Sequence, residues 1–229
     1  NVATTPISST ATDDLHNYFQ NLVDNYSVIL NEANGTLADA TPGVDPSWSN
    51  YSGVRAIGVV NETPTINLLN SIVGDKTAAD ISNASQINAL AQIANTIQST
   101  AAGDNTAPAL TVADLTAIGL TGVTADNLQA ITQAIAAQAD DGSDTASVAQ
   151  LQALVQKVND AQTAIVTAAQ DNTASHSTLP LSTYTDAGVS GVTADNQTAI
   201  ETALNSAAVQ GSDVSTTAQV QALVDAYKA

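Results

Sequence analysis

The sequence predicts an all-α protein built of tandem small three-helix-bundle modules with a long connecting helix. Apolar residues recur at spacings of three and four, as on one face of a helix, and a stretch of about fifty residues occurs twice. The chain is 44% hydrophobic but only 3% aromatic, so its apolar surface comes from Ala, Val, Leu and Ile. Side chains this small favour slender, closely packed helices over one thick core.

The duplication relates residues 110–160 to residues 179–229 at a constant offset of 69, with 22 of 51 pairs identical and no gap. The blocks G-V-T-A-D-N and G-S-D return unchanged, and A-Q-L-Q-A-L-V returns with one conservative change. A fainter earlier copy pairs Ala56–Val59 with Ala117–Leu120 and contains Q-I-N-A-L against Q-L-Q-A-L. We therefore expect three related helical units.

The N-terminal part is predicted to consist of a leader, a helix and a linker. Residues 1–11 are expected to be an extended or disordered leader. Within residues 12–52, a helix is predicted over Thr12–Asn34, and Asn34–Ser52 is predicted to be a linker because it holds two prolines and two glycines. One side of this helix carries the apolar residues Leu15, Phe19, Leu22, Val23, Tyr26 and Ile29.

Three helical modules are predicted to follow, a divergent one at 53–105 and two clear repeats at 106–171 and 172–229. The polar segment Asp171–Thr178 is predicted to be a loop between the two clear repeats. In the divergent module, the apolar face of the second helix is expected to consist of Ile66, Leu69, Ile72 and Val73.

The middle module shows how each unit is expected to be built. A short first helix precedes a second helix, which Thr124 or Asp126 can cap and which Gly142 ends. A third helix is expected to begin near Ser147 and to continue to about Ala169, because no Gly or Pro interrupts it. Such a helix would be roughly 35 Å long and would act as a stiff strut between modules.

Charge and sulfur content exclude several classes of function. Lys and Arg total 4 against 22 Asp and Glu, for a formal net charge of −18, so nucleic acid and anionic membranes are not expected as partners. No apolar run is long enough to predict a membrane span. The chain has no Cys and no Met, which rules out disulfides and thiolate chemistry and fits a processed chain or an excised fragment.

No catalytic residues and no cofactor are predicted, and the protein is not expected to be an enzyme. The two histidines, His16 and His176, fall in different segments, whereas a Ser-His-Asp triad needs a histidine held between a carboxylate and a nucleophile. The carboxylate pairs Asp13–Asp14 and Asp140–Asp141 lie at predicted helix ends, where capping and dipole compensation explain them.

Calcium is the metal for which the sequence comes closest to providing a binding site. Residues 140–144 read D-D-G-S-D, but they lack the EF-hand pattern, and the second copy replaces Asp140 and Asp141 by Val209 and Gln210. No metal site is therefore predicted, and weak calcium binding at 140–144 is the open alternative. Six N-x-S/T sequons occur, at Asn25, Asn34, Asn50, Asn61, Asn83 and Asn196, and they matter only in a host that glycosylates them.

Candidate interface residues lie near both ends of the chain. Trp48, Tyr51 and Arg55 are candidate anchors, because Trp, Tyr and Arg dominate binding hot spots. The alternative is that the sole Trp fills a domain junction. If modules stack end to end, an exposed stripe of the C-terminal helix is the expected docking face, and the N-terminal helix supplies the complementary one. Those two faces consist of Val220, Val224 and Tyr227, and of Phe19 and Tyr26.

The string G-[LV]-[TS]-G-V-T-A-D-N, followed by an Ala-rich helix and Q-[LV]-Q-A-L-V, resembles helical repeats of very large secreted proteins of marine and other Gram-negative bacteria. Here it occupies 119–127 with 150–155, and 188–196 with 219–224. Such repeats occur in adhesin-like and cadherin-like surface proteins and in biofilm-associated chains. The layout is also loosely similar to the albumin-binding GA-type bundle, but no albumin binding is carried over. The resemblance implies a surface location and a spacer or assembly role, without an active site.

These observations predict an extracellular structural protein of the bacterial surface, such as a stalk, surface layer, filament or biofilm component. Its expected partner is itself, as a homo-oligomer or polymer, or a neighbouring surface protein or glycan. The alternative is an adhesin module that recognises a protein or glycan on a host or neighbouring cell.

Overall fold

A computed structural model of the chain describes residues 9–33, 45–171 and 178–227. Over these residues the protein contains ten α-helices, two short 3₁₀ helices and no strand, which confirms the all-α prediction. The chain divides into two compact units, Asn1–Asn95 and Thr96–Ala229. The five segments predicted from the sequence are finer than this division, and their bounds stay predictions.

The first unit holds the N-terminal helix and the divergent repeat. Its helices are α1 (Ser9–Ala33), α2 (Trp48–Gly53), α3 (Thr63–Gly74) and the larger part of α4 (Ala84–Ala101). The helix predicted over 12–34 is confirmed as α1, which begins within the predicted leader. Leu69, Ile72 and Val73 are fully buried on α3, as the sequence predicts, whereas Ile66 is half-buried.

Helix α2 lies in the stretch that was predicted to be linker, so that prediction is wrong for residues 48–52. The Ser47 amide donates to Asn50 Oδ1 at 2.8 Å, which helps to begin the helix. Tyr51 is fully buried and anchors the helix in the core. A helix of six residues is too short to show a periodic pattern, which is why the prolines and glycines nearby dominated the prediction. The rest of the leader and linker, 1–8 and 34–44, lies outside the described residues.

The second unit holds the two clear repeats. Its helices, after the end of α4, are α5 (Val112–Ala117), α6 (Leu128–Ala136), α7 (Val148–Asp171), α8 (Leu181–Asp186), α9 (Gln197–Leu204) and α10 (Thr217–Ala226). One 3₁₀ helix, Ser143–Thr145, lies between α6 and α7, and the other, Gly211–Val214, lies between α9 and α10. The polar loop predicted between the repeats lies mostly outside the described residues.

The duplicated stretches fold alike, down to single hydrogen bonds. The side chain of Gln152 accepts from the Thr121 amide at 2.9 Å and donates to the Thr121 carbonyl at 3.2 Å. Gln221 makes the same two bonds to Ser190, at 2.8 and 3.1 Å. The left-handed glycine Gly119 returns as Gly188, which confirms the duplication in three dimensions.

The divergent repeat follows the same plan at an offset of 64 residues. Helix α2 lies 64 residues before α5, as α5 lies 69 before α8, and in all three the last turn closes with matching backbone hydrogen bonds. The alignment of Ala56–Val59 with Ala117–Leu120 is therefore wrong by three residues, because Arg55 occupies the place of Gly119 and hides the match. We name residues 46–95 repeat 1, residues 110–160 repeat 2 and residues 179–227 repeat 3.

A glutamine near the start of each repeat's last helix marks the three repeats as equivalent. Gln86, Gln150 and Gln219 each donate through Nε2 to the carbonyl seven residues earlier, at 3.3, 3.0 and 3.2 Å. Their own backbone amides donate to capping side-chain oxygens, those of Asn83, Ser147 and Thr216 respectively. Ser147 is thus confirmed as the start signal of the third helix.

Two predicted helix boundaries in repeat 2 are wrong. Helix α6 begins after Asn127, whose Oδ1 accepts from the Thr124 amide at 2.8 Å, so the side chains of Thr124 and Asp126 do not cap it. The helix ends at Ala136, six residues before Gly142. Gly142 does adopt the left-handed conformation, with φ of 72°, but it introduces the 3₁₀ helix instead.

Helix α7 is the predicted long helix, and its 24 residues span about 36 Å. It belongs to the cores of both clear repeats. Val148, Leu151 and Val155 of its first half are buried beside α6. Ala161, Ile165 and Ala169 of its second half lie in the core cluster of repeat 3, so α7 is a shared core element and not a free strut.

In each repeat, a backbone carbonyl accepts a hydrogen bond from a side chain in the second half of the long helix that precedes the repeat in the chain. Gln98 of α4 donates to the Thr145 carbonyl in repeat 2 at 3.0 Å, and Gln162 of α7 donates to the Val214 carbonyl in repeat 3 at 2.5 Å. Ile81 is the matching residue of repeat 1, and its carbonyl accepts from the Tyr26 hydroxyl of α1 at 2.7 Å. We call these second halves of α1, α4 and α7 the incoming helices.

Candidate interaction surface

Exposed apolar side chains are concentrated in the first unit. Four apolar side chains of α1 are 42 to 57% exposed, and we call them the α1 face: Leu15, Tyr18, Phe19 and Val23. Three more large exposed side chains lie in or just after α2, namely Trp48, Ile57 and Val60, whereas the described part of the second unit has only Leu181 and Tyr227. Contiguous apolar surface of this kind marks interaction sites.

Arg55 lies beside the α1 face in an unusual conformation. Its guanidinium lies 5.4 Å from the centre of the Tyr18 ring, and the Tyr18 and Phe19 rings meet edge to face with their centroids 5.5 Å apart. Its φ of 61° is the only positive value among the non-glycine residues that the structure describes. Repeats 2 and 3 have glycine at this position, so the side chain of Arg55 is retained at the cost of backbone strain.

Trp48 is 40% exposed, and its Nε1 donates to the Val59 carbonyl at 3.2 Å. This bond fixes the indole while leaving one part of it in solvent, an arrangement common among interface tryptophans. Whether Trp48 anchors a partner or covers a junction stays a prediction.

The structure places the predicted interface residues in two different environments. Phe19, Trp48, Arg55 and Tyr227 are exposed. Tyr26 is half-buried, and Tyr51, Val220 and Val224 are fully buried.

The expectation of an exposed stripe at Val220 and Val224 is thus corrected, because both side chains fill the core of repeat 3. Tyr51 is likewise a core residue rather than a surface anchor. Its hydroxyl donates to Asn70 Oδ1 at 2.6 Å, and Asn70 Nδ2 donates to the Pro46 carbonyl at 2.9 Å.

The buried tyrosines do not supply acid–base chemistry near neutral pH. Desolvation, together with the negative charges of Glu32 and Asp45, holds the pKa of Tyr51 well above its ordinary value. Desolvation and then Glu201 raise the pKa of Tyr184, the matching residue in repeat 3. The Tyr184 hydroxyl has no hydrogen-bond partner among the residues that the structure describes. Both phenols therefore act as neutral core residues.

The acidic turn at 140–144 is organised by its own backbone. Asp141 Oδ1 accepts from the Ser143 amide at 3.0 Å, and this bond lowers the pKa of Asp141. No group of three or more His, Asp or Glu side chains is arranged to hold a metal ion within the described part of the chain. His16 is exposed on α1, and His176 lies outside the described residues.

Two open grooves lie along α7 in the second unit. One, of about 410 Å³, has walls that include Asn127, Asn159 and Gln162, whose Oε1 is buried without a partner among the described residues. The other, of about 400 Å³, runs between α6, α7 and α8 and is bordered by the Lys157–Asp186 ion pair at 2.9 Å. Neither groove gathers the carboxylate or imidazole pairs that general acid–base catalysis uses.

Comparisons with known proteins supply no relative: the chain matches no family model, no curated protein and no solved structure. Among the described residues, no helix combines the length and apolar character needed to cross a membrane. The exposed surface is therefore the feature of this chain that bears on its function.

Sequence reasoning identified Phe19, Trp48 and Arg55 but missed Leu15, Tyr18 and Val23 as surface residues. The periodicity of α1 made them look like core residues, since all of them lie on or beside its apolar stripe. The sequence nevertheless contains a signal for this surface, which appears when repeat 1 is aligned with repeat 2 at an offset of 64 residues. Arg55 stands where both other repeats have glycine, which marks the position as exceptional.

Proposed function

We propose that this protein is an extracellular structural and assembly protein of the bacterial surface, made of tandem three-helix-bundle modules that continue from one chain to the next. The single observation that carries the proposal is the α1 face, a stripe of large apolar side chains without cover within the described residues. In a chain with one Trp, one Phe and five Tyr, placing Tyr18 and Phe19 side by side in solvent points to a buried role in a complex.

The repeat architecture supports the same proposal. Repeats 2 and 3 share α7 between their cores, as neighbouring repeats do in solenoid proteins that grow in one dimension. A surface location is supported by composition, namely the absence of Cys and Met and the scarcity of Lys, and by the resemblance of the G-V-T-A-D-N repeats to secreted surface proteins.

The test is the association state of the full chain, measured by sedimentation velocity and negative-stain microscopy. We expect wild-type protein to form larger species as its concentration rises. Phe19→Asp should abolish them because it places a carboxylate in the interface. Ile57→Asp is a matched control, since Ile57 is 90% exposed and lies off the α1 face. Equal association of both variants would contradict the proposal.

A second candidate function, an adhesin module, is favoured by one observation: the strained Arg55 stacked on Tyr18. An exposed guanidinium on an aromatic ring can recognise a carboxylate on a protein or glycan. Arg55→Gly restores the residue used in repeats 2 and 3, so the fold should be kept while this recognition is lost. Selective binding of a monomeric wild-type chain to a glycan or protein array, absent in Arg55→Gly, would favour the adhesin.

A further inference from the structure

Arg55 carries a positive charge that no carboxylate among the described residues neutralises. The side chain is exposed and makes no ion pair there, although the chain has 22 Asp and Glu. Stacking on the Tyr18 ring, at 5.4 Å from its centre, fixes the guanidinium while its N–H groups stay available to donate. Because repeats 2 and 3 have glycine here, the repeat fold does not need this cation. A fixed guanidinium next to the α1 face is suited to bind a carboxylate of a partner.

The turn before the last helix is built differently in repeat 2 than in the other two repeats. In repeats 1 and 3, Asp80 and Asp213 each accept through Oδ2 from the backbone amide three residues earlier, at 2.9 Å in both. The equivalent Asp144 accepts no such bond, and Asp141 Oδ1 instead accepts from the Ser143 amide at 3.0 Å. The carboxylate of Asp144 is therefore exposed and unbonded within the described part of the chain.

Asp140 adds a second carboxylate to this turn. It is exposed and accepts no hydrogen bond from the described residues, and repeat 3 has Val209 in its place. Three exposed alanines lie at or just after the end of α6, namely Ala136, Ala137 and Ala139. We call residues 136–144 the α6 end, an exposed surface in which small apolar side chains adjoin two unbonded carboxylates.

The α6 end complements the α1 face in side-chain size and in charge. The α1 face presents two aromatic rings and two aliphatic side chains beside a cation, whereas the α6 end presents methyl groups beside anions. Large side chains pack well when small ones lie opposite them. In a chain with a formal net charge of −18, Arg55 also lets two copies meet with opposite charges in contact.

We propose that the α1 face and Arg55 of one chain bind the α6 end of a second copy, with the guanidinium between the carboxylates of Asp140 and Asp144. The apolar contact supplies the affinity, and the ion pair selects which surface of the second copy is used. Two different surfaces meet, so the contact is heterologous and joins chains in an open series. The overall repulsion between the acidic chains still sets the salt dependence. This inference rests on the proposed assembly function and names the surface that covers the α1 face.

A charge exchange between the two surfaces tests the contact in the full chain. Arg55→Glu and the double variant Asp140→Lys, Asp144→Lys each place like charges opposite each other. Each variant alone should therefore raise the apparent Kd of association in sedimentation velocity by roughly tenfold or more. An equimolar mixture of the two should restore association. In the mixture the new carboxylate of one variant faces the new ammonium groups of the other, and the unchanged Arg55 faces the unchanged turn.

The double variant Asp126→Lys, Asp195→Lys is the matched control for net charge. Both aspartates are exposed, and replacing them changes the formal net charge as much as replacing the two aspartates of the α6 end. The control should associate at least as well as wild type, since a smaller net charge weakens the repulsion between chains. Circular dichroism of every variant checks that the helices are retained.

The outcomes separate this contact from the proposed function. If the α6-end variant associates as well as the control, or if mixing does not restore association, the contact between the α1 face and the α6 end is overturned while assembly through the α1 face stands. If wild type is monomeric at every concentration, both proposals are overturned.

Discussion

At the scale of single residues, the repeats provide matched positions with different chemistry. Tyr51 and Tyr184 are equivalent and fully buried, but within the described part of the chain only Tyr51 has a hydrogen-bond partner. Tyr184→Phe removes a hydroxyl without a partner, so we expect the free energy of unfolding to rise by about 1 kcal/mol. Tyr51→Phe leaves Asn70 Oδ1 buried and without its donor, and should lower it by about 1–3 kcal/mol. Urea unfolding of both variants measures the difference, and effects of the same sign would contradict this account.

The same two phenols set an alkaline limit to stability. Their pKa values are raised in the folded state, so the unfolded chain ionises first, near pH 10. The stability that their neutral forms contribute is complete below about pH 10 and is lost as pH rises towards the folded values. We expect the urea midpoint to fall between about pH 9.5 and 11.5, and to fall less in the double variant Tyr51→Phe, Tyr184→Phe. An identical fall in the double variant would assign the effect to other groups.

At the scale of helices, long periodic elements could be predicted from the sequence, and short or exceptional ones could not. Helices α1 and α7 have enough turns for the apolar spacing to stand out, and Ser147 marks the start of α7. Helix α2 was not predicted because six residues are too few to show a period. Its equivalence to α5 was not recognised because Arg55 stands where the other repeats have glycine. The burial of Val220 and Val224 was not predicted, because the periodicity of α10 shows an apolar stripe but does not show which element covers it.

The sharing of α7 by two repeats predicts that they open together. Thr163 is exposed near the middle of α7, and its hydroxyl donates to the Asn159 carbonyl within the same helix. Thr163→Pro should cost about 3 kcal/mol or more and separate the halves, so that amides of α9 exchange hydrogen faster than those of α6. Thr163→Ala is the matched control and should leave the two helices equally protected. Equal protection of α6 and α9 in Thr163→Pro would show that the repeats are coupled by other contacts.

At the scale of the whole molecule, charge opposes the assembly that the apolar surface favours. Each unit has only two basic residues, Arg55 and Lys76 in the first, and Lys157 and Lys228 in the second, and the formal net charge is −18. Bringing two such chains together costs electrostatic free energy that salt screens, since the Debye length falls from about 30 Å at 0.01 M to about 3 Å at 1 M.

We therefore expect the association of wild-type protein to strengthen as sodium chloride rises from about 0.01 M to about 0.5 M, a range over which most of the screening develops. The unfolding midpoint should rise over the same range because self-repulsion within each chain is screened as well. Phe19→Asp separates the two effects: its midpoint should rise with salt, but it should not associate. Sedimentation velocity and thermal unfolding at matched salt concentrations make the comparison. Association that weakens with salt would instead indicate an interface held by ion pairs, with Arg55 as its cation. The Arg55 guanidinium, and not Phe19, would then be the main binding residue.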